Sequence, residues 1–97
     1  MATFITTFTL KGDTADEFEA LFGKYAAFMA EQPGFVDYQM LRSQSDPTTY
    51  VNIGRWQDAA AHHAVVSSGE FRTHVGEMMP LVSVKADSFA LVSAAEA

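Results

Sequence analysis

Asn52, Gly54 and Trp56 occupy alternate positions in the stretch Thr49-Tyr-Val-Asn-Ile-Gly-Arg-Trp-Gln-Asp58, and Trp56 is the only tryptophan of the chain. The run has strand character, and on a strand alternate side chains share a face. Tyr50, Asn52, Gly54 and Trp56 therefore lie on one side, with Val51, Ile53 and Arg55 on the other. An amide that can donate and accept, a position with no side chain and a large indole make a slot suited to a flat ring system bearing oxygen. The same residues also fit plain packing, with Trp56 as a core anchor, Asn52 satisfying a backbone group and Gly54 marking a bulge. Residue types alone leave both readings open.

Three histidines follow: His62, His63 and His74. An imidazole titrates near neutrality and can accept a substrate proton. Only one of the adjacent pair can face the slot, and His62 is expected to, because it lies four residues after Asp58 and at helical spacing with Val65 and Val66. The three do not form a metal-spaced set such as HExxH, and no glycine-rich dinucleotide fingerprint follows a strand. With no cysteine present, disulfides, thiolate nucleophiles, Cys-type zinc sites and iron–sulfur clusters are excluded together. Neither a metal nor a bound redox cofactor is expected. Tyr25, Tyr38 and Tyr50 can line a cavity, although aromatic residues on a helix stripe or sheet face are core residues first.

Elements must hold these residues. Thr3 to Leu10 is β-branched and aromatic, which predicts a first strand ending at Lys11-Gly12-Asp13. From Thr14, residues Ala15, Phe18, Leu21, Phe22, Tyr25, Phe28 and Met29 recur at helical spacing, and Gln32-Pro33-Gly34 stops the helix. Thr14 with Glu17 is expected to form a capping box, with Asp13 competing. Phe35 to Ser43 and Thr49 to Gln57 read as a hairpin across the turn residues Gln44-Ser45-Asp46-Pro47-Thr48. Asp58 can cap a short helix over residues 59–66. Ser67 with Glu70 can cap another running to Met79, before a last strand from Leu81 to Ser93 with both faces largely apolar.

Strand, helix, strand, strand, broken helix, strand is the split βαβ order of a ferredoxin-like α+β fold with an antiparallel sheet. The 97 residues are expected to form a single domain, residues 1–97, without repeats or linkers. Composition is that of a globular protein, 48% hydrophobic with eight phenylalanines. A net charge of -6 and six scattered Lys and Arg argue against nucleic acid or anionic membrane as a partner. The N-terminal segment reads as a strand rather than a signal peptide and no segment suits a bilayer span, so a cytoplasmic protein is expected. With helices on one side, the second sheet face would carry Ile5, either Val36, Tyr38 and Met40 or Phe35 and Leu41, and either alternating valines or Phe89 and Leu91. So apolar a face predicts a homodimer packed sheet to sheet and closing into a barrel.

Over nearly its whole length the chain resembles the antibiotic biosynthesis monooxygenase domains, which are dimeric ferredoxin-like α+β barrels. The resemblance is carried by Pro33-Gly34-Phe35, by the hairpin YQMLRSQSDPTTYVNIGRW, by AAAHHAVVSSGEF and by Phe71 two residues beyond Ser68-Gly69. Its most specific element is Asn52 with Trp56, which resembles the active-site pair of members that oxidise anthrones and naphthacenones to quinones without a cofactor. The resemblance implies a cofactor-free oxygenase acting on a flat phenolic or anthrone-type aromatic with O2, in aromatic polyketide or quinone metabolism. It implies that Asn52 hydrogen-bonds the carbonyl or enolate oxygen of the substrate, that Trp56 packs on the rings and that Arg72 offsets anionic charge, while His62 is the proton acceptor expected from its position. Tyr50, Gly54, Tyr25, Phe71, His74 and a strand-one threonine, Thr7 or its neighbour Thr6, are expected to contact substrate. That threonine stands where some members carry an asparagine. Two alternatives remain: an aromatic-ligand-binding or cyclase-like dimer of the same fold, and a heme-degrading enzyme with His74 near the iron-ligand position.

Overall fold

Alternating residues in four segments of the chain build one antiparallel sheet, and the computed structural model describes every residue from 1 to 97. The elements are β1 (Ala2–Leu10), α1 (Ala15–Ala30), β2 (Phe35–Arg42), β3 (Thr49–Trp56), α2 (Ala59–Val66), α3 (Gly69–Met78) and β4 (Val82–Phe89). Strand order is β2-β3-β1-β4, the ferredoxin-like α+β arrangement expected from the sequence. No helix is long and apolar enough to cross a membrane.

Phe8 and Tyr50 from the sheet, Phe18, Phe22 and Ala26 from α1, Met78 from α3 and Val82 form one buried cluster. Met29, Trp56 and Val65 form a second. Burying each large apolar side chain contributes about 1.5–3 kcal/mol, so the α1 stripe is the main anchor of the helical layer. Between the clusters the sheet presents Thr6, Asn52 and Gly54, none of which supplies apolar bulk.

Several local features differ from expectation. Thr14 caps α1 by position only: its side chain makes no capping bond, and its buried hydroxyl has no partner. The cap of α3 is Ser68, not Ser67, because Ser68 Oγ accepts from Phe71 N–H at 3.2 Å. Asp58 caps α2 as its type predicts, accepting from Ala61 N–H at 2.8 Å. The last strand ends at Phe89, leaving Leu91 outside it.

On β2 neither of the two sets expected on the outer face lies there whole. Phe35 pairs with Trp56 and Asp37 with Arg55, so Val36 is an extra residue, a β-bulge. The bulge changes the phase, and Phe35, Tyr38 and Met40 all fall on the helical side. Gly54 itself lies in regular register between Phe4 and Tyr38. The outer face is correspondingly less apolar than expected. Across the sheet it carries Asp87, Ile5, Ile53 and Gln39 in one row, and Lys85, Thr7, Val51 and Leu41 in the next. The valines of β4 point inward, since Val82 is opposite Leu10 and Val84 opposite Phe8. Arg55 and Asp37 form a bidentate ion pair on the outer face.

Candidate active site

Register places the slot. Thr6 is opposite Asn52, Phe4 opposite Gly54, and Tyr38 flanks Gly54 from β2. With α1 above, these residues enclose a cavity of about 40 Å³ whose walls include Asn52, Gly54, Trp56, Tyr25, Thr6 and His62. A side chain at Gly54 would not collide with the fold, because a Cβ there would meet only Asn52 Nδ2 at 3.9 Å and the Phe4 carbonyl at 4.0 Å. The glycine therefore keeps space open instead of relieving a clash. Trp56 is 2% exposed and meets Phe35 edge to face, with centroids 5.4 Å apart. Asn52 Oδ1 is buried without a hydrogen-bond partner. Buried polar atoms are nearly always paired, and Asn52 also lines the cavity, so its amide is the candidate ligand contact. The free atom is an acceptor, and the group it needs is an O–H or N–H donor.

His62 enters from α2, stacks on Phe4 and meets Trp56 edge to face at 5.6 Å. Burial, with a smaller contribution from the neighbouring His63, lowers its pKa below the ordinary imidazole value. It is thus neutral at pH 7 and able to accept a proton. Burial pushes the Tyr25 hydroxyl up to about 12, so this wall residue stays protonated.

Other expected site residues lie elsewhere. Thr7 is opposite Val51 on the outer face, and one-residue alternation puts Thr6 in the slot in its place. Tyr50, although on the inner face, is a core residue 3% exposed. Its hydroxyl donates to Glu19, the Arg42 guanidinium lies 5.2 Å from its ring, and burial raises its pKa to about 12. His74 stacks on Phe28 at 5.0 Å and lines neither cavity, because its position on α3 turns it toward α1. Arg72 is exposed on α3, one residue past the inward-facing Phe71, and also lines neither cavity. No group of three histidine, aspartate or glutamate residues is placed to hold a metal. Phe4, Met29 and Phe35 line the slot without having been singled out. Inward alternation on β1 was the available signal for Phe4.

Phe71 lines a second cavity, between α3 and β4, of about 220 Å³. Its lining is apolar except where Thr6, Tyr25 and His62 form a wall shared with the slot.

This architecture has known relatives. Two crystal structures of SnoaB, a cofactor-independent oxygenase from Streptomyces nogalater, superpose with a TM-score of 0.90 at 33% and 34% identity, covering 96% of this chain and 94% of that one. A conserved protein from Methanosarcina mazei Go1 shares the fold at 14% identity, with a TM-score of 0.81 over 92% of this chain and 91% of that one. Deoxynogalonate monooxygenase of Streptomyces nogalater is 39% identical over 79 residues, which are 81% of this chain and 66% of that protein's length. The family model for antibiotic biosynthesis monooxygenases matches residues 1–77. Fold and sequence agree, and the chain belongs to the antibiotic biosynthesis monooxygenase family.

Proposed function

We propose that this chain is a cofactor-independent monooxygenase that oxidises a flat phenolic or anthrone-type aromatic to a quinone with O2, in aromatic polyketide or quinone metabolism. The observation that carries the reading is the Asn52 amide, which lines a cavity bounded by Trp56 and a neutral His62 and whose Oδ1 is buried without a partner. Similarity to SnoaB and to deoxynogalonate monooxygenase supports the reaction class.

His62 takes the proton from an activated CH2 or phenol, and Asn52 accepts a hydrogen bond from a substrate hydroxyl to fix the reacting edge. The carbanion or enolate passes one electron to O2, and the two radicals combine to a hydroperoxide. Loss of water converts CH2 to C=O, so one O2 gives one carbonyl and one H2O. Trp56 covers the reacting edge and, with Phe4 and Phe35, keeps bulk water away from the anion.

The functional unit is a homodimer in the cytoplasm. Ile5, Ile53, Val51 and Leu41 form an apolar strip on the outer sheet face, with Leu41 52% exposed, and a second copy packed on that face would cover it. Sedimentation at micromolar concentration tests the dimer, and a monomer there would refute it. Oxygen uptake by metal-stripped protein with an anthrone and with a hydroquinone tests the activity. Turnover without added flavin, metal or nicotinamide is expected, and ligand binding without turnover would shift the reading to a binding or cyclase-like protein.

A further inference from the structure

We propose that the cavity between α3 and β4 holds the non-reacting rings of the substrate, leaving only the oxygen-bearing edge to enter the slot, and that Val84 and Ala86 set the size limit. The inference rests on the oxygenase reading for what the substrate is, and on cavity geometry for where it lies.

At about 40 Å³ the slot cannot contain even one aromatic ring, since a buried apolar cavity that takes up benzene measures roughly 150 Å³. The neighbouring cavity, at about 220 Å³, exceeds that. The two adjoin at Thr6, Tyr25 and His62, which line both. A flat molecule lying across this wall would put its edge beside Asn52 and Trp56 and its body among Val66, Phe71, Val75, Met78, Val84 and Ala86.

Polarity divides the same way. Away from the shared wall the larger cavity offers no polar side chain. A hydroxyl there would lose its water without gaining a partner. The fitting substrate class is thus a fused-ring aromatic whose oxygens are gathered at one edge and whose far ring is bare. Met78 is buried, whereas Met79 and Val84 are 42% and 39% exposed at the rim, which places the opening between α3 and β4. Two flexible thioethers allow the body pocket to adjust to ring outline.

The test uses Trp56 fluorescence, since the chain has no other tryptophan to contribute. Anaerobic titration with phenol, 1-naphthol and 1-anthrol, each with one hydroxyl at one end and a bare far side, gives affinity against ring count. Affinity is expected to rise at least tenfold from one ring to three. Ala86→Leu and Val84→Phe each narrow the larger cavity, at strand positions that accept such side chains, and each should cut the three-ring to one-ring affinity ratio at least fivefold. Equal affinity for all three ligands, no quenching by any, or an unchanged ratio in the folded variants would overturn the proposal. Turnover without ring-count preference would sink this inference while leaving the oxygenase reading intact. Ring-count-dependent binding without turnover would do the reverse.

Discussion

Phe4 and His62 lie face to face, with ring centroids 3.6 Å apart and planes 13° from parallel. The stack joins β1 to α2 and shields one face of the imidazole from water, while Trp56 approaches it edge to face. A histidine held in this way is fixed in orientation and biased toward its neutral form.

That bias has two consequences with pH. Because the His62 pKa is lowered from 6.5 by burial and by His63, the neutral base persists to lower pH than a free imidazole. The acid limb of kcat/KM is expected below pH 6.5, and His62→Gln should lower kcat by about 10²-fold or more. In stability, the unfolded chain takes up the proton as pH falls below 6.5 while the native chain resists it. The native state therefore loses stability from there down to the folded pKa, with no further loss from this group below it. Thermal melts across pH 5 to 8 should show a shallower acid slope in His62→Gln.

Asn52→Ala removes a buried oxygen that has no partner in the protein. Its melting temperature should stay within about 2 °C of wild type, while kcat/KM falls by roughly 10- to 100-fold, corresponding to about 1.5–3 kcal/mol of lost substrate bonding. Steady-state kinetics beside a thermal melt check both halves. Activity within a few-fold of wild type would place the reacting edge elsewhere.

Two glycines should respond in opposite ways to the same change. Gly54→Ala adds a methyl that meets nothing closer than 3.9 Å, so the protein should remain as stable or gain up to ~1 kcal/mol while substrate affinity drops. Gly34 has φ +88°, and a Cβ there would lie 2.5 Å from the Ala61 Cβ. Gly34→Ala should cost about 2–4 kcal/mol, combining an unfavourable backbone region with overpacking against α2. Urea unfolding of the two variants separates a cavity-keeping glycine from a fold-keeping one.

Arg72 projects from α3 into solvent, outside both cavities. Arg72→Ala is expected to change kcat/KM by less than twofold. A loss beyond tenfold would return the guanidinium to the reaction.

Much of this was readable from residue spacing. Element order, the Asp58 cap and the inward row of Tyr50, Asn52, Gly54 and Trp56 follow from period-2 and period-3.6 patterns, which depend only on local geometry. The choice of Thr6 over Thr7 was readable too, since Thr6 alternates with Phe4 and Phe8 while Thr7 shares a face with Ile5, and the pairing of β1 with β3 follows that alternation. That Arg72 and His74 lie outside both cavities was not readable. Their orientation is set by how α3 rotates about its axis once Met78 is buried and Phe71 is half-buried, a tertiary choice that the short sequence of that helix underdetermines. Ser68 replaced Ser67 as a cap for a similar reason: adjacent serines have equal chemistry, and the point where α2 ends selects between them.

The extra residue at Val36 has a consequence for insertions and deletions. Phe35, Tyr38 and Met40 share the inner face only because one unpaired residue separates the first from the others. Loss of Val36 would leave Asp37 outward and Tyr38 inward, so β2 could shorten by one at that point with its polarity intact. Loss of a residue between Tyr38 and Leu41 would put the strand's two halves out of phase and turn part of one inside out. Chain length along this strand is therefore constrained position by position, even where side-chain identity is not.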